Sequence, residues 1–343
     1  MQHRAFERWC GGIQALNAVQ VGKLRALLEA LDDRLRTLAM IEARSGDSPG
    51  CRHCGCERLR RWGRTGCGVQ RWHCSDCRRT MSSTTAMPLA QMRKRDRFML
   101  VLEDMLGPHP SSCRQLAERL GVDKMTVWRW RHRIMDLMGV DPANAGHEHG
   151  PLAGIVEADE TFCRESRKGS RQWVRHERDP AAHSKPDRLR WKDYKRLKLK
   201  LPTGVSRYQM PILTVTDRAG RIGAERVAGR RGGDLLEALN HQLTANVVLC
   251  SDGDPVYRQF ANRHHLPHHV LRDKPGHRII QNVFHIQTVN SLHQRFHAFI
   301  GLFRGPATRY LDRYIHWFLA RARKNDNPSD RVWTRLSQLK TTG

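Results

Sequence analysis

The chain has 343 residues, enough for two or three modest domains and at least one sizeable core. Its 60 Lys+Arg against 34 Asp+Glu give a formal net charge of +26. A surplus that large repels itself in a compact fold and calls for a polyanionic partner, nucleic acid first among them. No apolar run is long enough to span a bilayer, and the opening MQHRAFERWCGG does not read as a secretory signal. A membrane role is therefore set aside, and an intracellular, cytoplasmic location is expected. Four of the 10 Cys fall in two CxxC pairs, which points to metal binding in a reducing compartment rather than to disulfides.

From Phe6 to Glu42 apolar residues recur at helical spacing (Leu16, Val19, Leu24, Leu27, Leu28, Leu31, Leu35, Leu38), so residues 1–45 are expected to form one or two amphipathic helices. The run Arg44 to Gly50 breaks them. Residues 46–85 are Cys-rich, strongly basic and too short for an ordinary apolar core. Cys51-x-x-Cys54 and Cys74-x-x-Cys77 supply four thiolates, the donor set and geometry of structural Zn²⁺. A zinc ribbon is expected, with a hairpin between the two knuckles and most of its folding energy drawn from the metal. Cys56 and Cys67 lie nearby, but the spacing favours the other four. The arginines of this segment (Arg58, Arg60, Arg61, Arg64, Arg71) either contact phosphate or solvate a small domain.

Residues 90–140 are expected to hold a helix-turn-helix. Ser112 caps a helix bearing Leu116, Ala117 and Leu120. Gly121 makes the turn, and Lys124 to Met135 form the second helix, packed through Val127, Trp128 and Ile134. Its outer face is expected to offer Lys124, Thr126, Arg129, Arg131 and Arg133 to a DNA groove; the plainer reading is a generic helical hairpin. Asp141 to Pro151 reads as a linker.

Residues 150–325 alternate strand and helix. GIVEADET, YQMPILTVTD and RIGAERVAG read as strands. A helix over Asp234 to Leu243 follows, then the strand NVVLCSD, a helix near Val256 to Arg263 and a short strand near His268 to Leu271. Helices from Asn282 to Ile300 and from Ala307 to Ala322 complete the pattern. The fold class is α/β, a mixed sheet flanked by helices. Between the first two strands, residues 164–207 form a basic insertion without apolar periodicity. Its Trp173, Trp191 and Tyr194 sit among Lys and Arg, as in a solvated loop or in an arm that grips a strand and stacks on bases.

Asp159 stands at the end of GIVEAD, and Asp252 follows NVVLC. Carboxylates at the ends of neighbouring apolar strands are costly in a core and useful at an open edge. Paired, they bind hard divalent cations such as Mg²⁺ or Mn²⁺ through oxygen. Cations so held activate a water or 3′-hydroxyl at a phosphodiester. Each Asp alone is more commonly a turn or cap residue. Glu160 is expected on the opposite side of the strand and not as a ligand.

Taken together, CRHC…CSDC with RRTMSSTTAMPLA, the helix-turn-helix, EADET, SDGDPVYRQFA, HIQTVNSLHQRF and RGPATRYLDRYIHWF resemble, in order, the bacterial insertion-sequence transposases of the ISXO2-like group. The resemblance covers nearly all of the chain past residue 50. It implies a zinc ribbon followed by an RNase H-like catalytic domain of the DDE type, with Asp159 and Asp252 as its first two metal-binding carboxylates. No Glu occurs after Glu237, and the position matching the third acid is Asn290. Asn brings a carbonyl oxygen to a cation without charge; otherwise Asn290 is a plain polar helix residue. Asp312 is the nearest acidic alternative. In the family a basic residue about two helical turns later holds DNA, a place taken here by His297 with Arg295 beside it. His285, one turn before Asn290, either orients the site or is an ordinary buried histidine.

The function expected is cation-dependent DNA cleavage and strand transfer at the inverted repeats ending an insertion sequence, on double-stranded DNA, by a homodimer or higher oligomer. A catalytically inactive DNA-binding protein or regulator derived from a transposase is the alternative. A zinc-ribbon RNA-binding protein is disfavoured by the helix-turn-helix and by the strand order.

Overall fold

The structure is a computed structural model and describes residues 3–45, 50–87, 90, 92–139, 152–200, 208–229, 232–243, 246–272, 274, 278–323 and 327–337. The expected linker, Asp141 to Pro151, lies outside the described residues. The chain divides into two units, Met1–Leu137 with Ser329–Gly343, and Met138–Pro328.

In the first unit the amphipathic segment forms two helices, α1 (His3–Gly12) and α2 (Ala18–Ser45). Leu27, Leu28, Leu31 and Leu35 of α2 are exposed, whereas Thr37 and Ile41 near its end are buried. The Cys-rich segment folds as a three-stranded antiparallel sheet, β1 (Leu59–Arg64), β2 (Gln70–Cys74) and β3 (Thr80–Ser82), in the order β1-β2-β3. Cys51, Trp72, Cys74 and Met81 make its small core. Arg64 ties it to α2 by an ion pair with Glu42 at 2.8 Å.

Three helices follow: α3 (Arg95–Leu106), α4 (Cys113–Leu120) and α5 (Lys124–Met138). Ser112 accepts from the Gln115 N–H, and the Gln115 side chain answers the Ser112 N–H, a reciprocal cap that starts α4. Gly121 ends it at φ +58°, a left-handed conformation that suits a residue without Cβ. Phe98, Val101, Leu102 and Met105 of α3 share a buried core with Leu116 and Leu120 of α4 and with Val127, Ile134 and Met135 of α5. Trp128 is only half-buried and packs on His132, ring centroids 4.1 Å apart.

The second unit is built on a five-stranded sheet: β4 (Gly154–Arg164), β5 (Gln209–Asp217), β6 (Ile222–Arg226), β7 (Val247–Ser251) and β8 (His268–Val270). The spatial order is β6-β5-β4-β7-β8. The first three strands are antiparallel, and β7 and β8 join parallel to β4 through helical crossovers. That is the order of an RNase H-like sheet. Helices α8 (Gly232–Gln242) and α9 (Pro255–Arg263) bury Leu235, Leu239, Tyr257 and Phe260 against Val156, Ala158, Leu213, Val215 and Leu249. Helices α10 (Gln287–Gly301) and α11 (Leu311–Ala322) join through Phe296, Phe299, Trp317 and Phe318, with Phe299 edge-on to Trp317 at 5.2 Å. Large apolar side chains removed from water in this way supply the main favourable term of the fold.

The basic insertion is more ordered than its composition implies. Residues 164–200 carry two short helices, α6 (Gln172–Arg178) and α7 (Trp191–Arg196). They are held by polar rather than apolar contacts. Arg188 pairs with Glu165, Arg190 with Asp193, and the Arg190 guanidinium lies 4.4 Å from the centre of the Trp173 ring. Trp173 also donates to the Arg188 carbonyl, so its ring is engaged within the arm. Residues 201–207 lie outside the described part. The last helix, α12 (Pro328–Ser337), belongs to the first unit, where Arg335 donates to the Leu137 carbonyl at 2.9 Å. No helix among the described residues is long and apolar enough to cross a membrane.

Candidate catalytic and DNA-binding sites

The structure brings together the four cysteines chosen by spacing. Cys51 and Cys77 have their sulfurs 3.6 Å apart, Cys54 and Cys74 3.7 Å, and all four lie within 4.8 Å of one another. A tetrahedron with Zn–S bonds of about 2.3 Å places its sulfurs roughly 3.8 Å apart, so the set fits zinc. Each knuckle turns through a left-handed residue directly after its second cysteine, Gly55 at φ +77° and Arg78 at φ +55°. Among the four thiols alone, the Cys77 and Asp76 N–H groups pull the Cys74 thiol down to about 6, while, against the Cys56 N–H, burial and the neighbouring thiols push Cys54 up to about 12. Cys56 instead accepts from the Arg58 N–H at 3.2 Å, and Cys67 is exposed.

On α5, Lys124, Arg129 and Arg133 are exposed and Thr126 is half-buried. Arg131 is a correction. It lies on the helix face of Val127, Ile134 and Met138, all buried, and its side chain is 6% exposed. It donates to Asp104 on α3 at 2.9 Å; the Asp104 side chain is 5% exposed. It also donates to the Ser111 carbonyl. A charge at a core-facing helical position needs a buried partner, and Asp104 provides one.

Asp159 lies inside its strand rather than at the end expected from GIVEAD. β4 continues to Arg164, and Asp159 pairs with Thr214 of β5. On the other side, the pairing of β4 with β7 stops at Glu157 opposite Cys250. Continuing that parallel register by two residues sets Asp159 level with Asp252, where the strands part. Both carboxylates, with Asn290 of α10, line one cavity of about 660 Å³. Arg272, Lys274, Arg278 and Gln287 line it as well. Burial, and then the charge of Asp252, push the Asp159 carboxyl up to about 7. Asp252 and Asn290 are exposed.

Glu160 is absent from the lining of that cavity. It accepts from the hydroxyl of buried Tyr257 at 2.8 Å, and burial raises its carboxyl to about 7 despite that bond. Asp312 lies elsewhere, paired with Arg226 at 2.8 and 3.1 Å. Arg295 is exposed on α10, and His297 shares a 2.7 Å hydrogen bond with Thr161 of β4.

Two polar residues near the carboxylates escape the sequence reading. His293, one turn beyond Asn290, places Nδ1 3.7 Å from Asp159 Oδ2, and burial lowers its pKa to about 4. The spacing of three from Asn290 was the available signal. Glu157, 1% exposed, reaches the start of α10. Its carboxylate accepts from the N–H groups of Thr288 at 2.8 Å and Val289 at 2.9 Å, and from the Thr288 hydroxyl at 2.8 Å. Arg218 also pairs with it, and His285 Nδ1 lies 3.2 Å away. His285 precedes α10, which begins at Gln287, and so does not stand one helical turn before Asn290.

An RNase H-like sheet with two carboxylates level at its parting strands, joined to a zinc-type ribbon and a helix-turn-helix, defines a DNA-processing protein. The chain belongs to the ISXO2-like transposase family, whose domain model matches residues 151–322. A homeodomain-like domain matches residues 111–143. No curated protein matches the chain. Among solved structures it is similar to a pre-cleavage Mos1 transpososome, at 12% identity over 71% of this chain and 79% of that one, with a TM-score of 0.19. It is likewise similar to a Mos1 transposase paired-end complex with the left transposon end, at 12% identity over 73% and 80%, with a TM-score of 0.20.

Proposed function

We propose that this transposase binds the terminal inverted repeats of an insertion sequence and cuts and joins DNA with divalent cations held by Asp159, Asp252 and Asn290. The observation that carries the reading is that these three residues, from β4, the end of β7 and α10, line one cavity together with Arg272, Lys274 and Arg278. The carboxylates supply the charge for a Mg²⁺ or Mn²⁺ site, and Asn290 adds an uncharged oxygen. A cation bound there supplies Lewis-acid activation of the attacking oxygen and neutralises the leaving one. The three basic side chains hold the phosphodiester against the carboxylates, which would otherwise repel it.

The remaining regions position the DNA. Cys51, Cys54, Cys74 and Cys77 hold Zn²⁺ and keep the ribbon folded. Lys124, Thr126, Arg129 and Arg133 face the groove and backbone of the terminal repeat, and Arg295 and His297 contact DNA near the cut. Two ends must be held at once, so the active species is a dimer or larger on DNA.

The test is cleavage of DNA carrying the element's ends by purified protein with Mg²⁺ or Mn²⁺. Asp252→Asn abolishes cutting and leaves end binding intact. Cutting that survives in both Asp159→Asn and Asp252→Asn removes the site assignment. Because Asn290 replaces an acid, binding without cutting by the wild-type chain is the outcome that favours an inactive DNA-binding derivative.

A further inference from the structure

We infer that Glu157 is the positioning residue of the cation site, holding the start of α10, and with it Asn290, at the height of Asp159. The inference rests on the cation site proposed above and goes beyond it, since Glu157 does not line the cavity.

Glu157 and Asp159 stand two apart on β4 and so face the same side of the sheet. The first N–H groups of any helix lack partners within it. Locally α10 has only the His285 ring, whose Nδ1 accepts from the Gln287 N–H at 3.3 Å; its N-cap, Ile286, makes no side-chain hydrogen bond, and its first turn contains no acid. Glu157 satisfies Thr288 and Val289 from a strand 131 and 132 residues earlier in the chain. Its negative charge also suits the positive end of the helix dipole. Asn290 is the next residue along. Farther down α10 the same strand face is met twice more, Asp159 by His293 and Thr161 by His297. The helix is therefore registered along β4 at three successive same-face residues, and Glu157 sets the end nearest Asn290.

The consequence for chemistry follows from the third residue being uncharged. A carboxylate is drawn to a cation over some distance by Coulomb attraction. A carbonyl oxygen has no such pull and must already be in place. Partners beyond the direct ligands typically control 10–100-fold in metal affinity, and here the partner acts by placing a backbone.

Calorimetric titration of Mn²⁺ into the full zinc-loaded chain tests this, at a temperature well below the melting point of every variant. Glu157→Gln, which keeps the size and one acceptor, should weaken Mn²⁺ binding about tenfold. In an Asn290→Ala background the same change should cost less than about twofold, because the two residues act through one another. If Glu157→Gln does not fold, Thr288→Val removes one of the same hydrogen bonds and should weaken Mn²⁺ binding in the same direction. A Glu157→Gln protein that melts lower yet binds Mn²⁺ as wild type overturns the inference, as does an equal loss in both backgrounds. Wild-type affinity in Asp252→Asn would instead remove the cation site itself, a failure separate from that of Glu157.

Discussion

Arg131 of α5 and Asp104 of α3 form an ion pair of 2.9 Å inside the helical core, each side chain almost wholly shielded from water. Asp104 also pairs with Arg119 at 3.0 Å and accepts from Ser111, so losing Arg131 leaves it partly satisfied and costs about 1–3 kcal/mol, less than a fully stranded buried charge. Arg131→Ala should therefore lower the stability of the first unit by about that much, read by urea unfolding. Exposed Arg129 behaves differently: Arg129→Ala should leave stability within about 0.5 kcal/mol and reduce the salt slope of DNA binding by about one. Equal effects of the two changes on stability would show that Arg131 is not part of the core.

The ribbon should behave as a metal-dependent fold. One Zn²⁺ per chain is expected, and Cys74→Ser should lose it and unfold the ribbon, while Cys56→Ser retains it. Metal content by atomic absorption, with hydrogen exchange over residues 50–87, reads both. Loss of zinc in Cys56→Ser would reassign the ligands.

Asp159 makes the second unit sensitive to pH. Its carboxyl moves from an ordinary 3.8 to about 7 in the folded chain, so the folded state holds that proton more tightly than the unfolded state does. The stability this contributes is complete below pH 3.8 and is lost as pH rises through about 7. Without added divalent cation, Asp159→Asn should melt above wild type at pH 8, by about 2–4 °C for each kcal/mol recovered. The gap should close toward pH 4, and calorimetric scans at both pH values measure it. A gap independent of pH would mean that the buried charge is not its source.

The turn of the helix-turn-helix depends on one left-handed residue. Gly121→Ala places a Cβ at φ +58° and should cost about 1–2 kcal/mol in the first unit. Thermal unfolding of the zinc-loaded chain reads the loss; an unchanged melting point would mean that the turn adopts another conformation.

What the sequence made legible were features with a local cause. Ser112 and Gly121 mark helix ends by chemistry acting over three or four residues. The CxxC pairs carry their geometry in their spacing. Asp159 and Asp252 stood out because acids seldom border apolar strands. Glu157 borders one too, but its role is set by Thr288 and Val289, and nothing in a single sequence reports a partner that distant. Arg131 falls on the helical stripe of Val127, Ile134 and Met138, which places it in the core, but its charge reads as a surface signal until Asp104 is known to lie opposite. Helices α6 and α7 lack apolar periodicity because ion pairs, not a core, hold them, so the pattern that reveals helices had nothing to show.

Helix α12 gives the chain an order of completion. The first unit includes buried Val332, Trp333 and Leu336, which are made after the whole five-stranded sheet. During synthesis, domains generally fold in the order they emerge. Here the first unit is completed only after the second has been translated. A product released early, before Pro328, would carry the whole five-stranded sheet with an incompletely packed first unit.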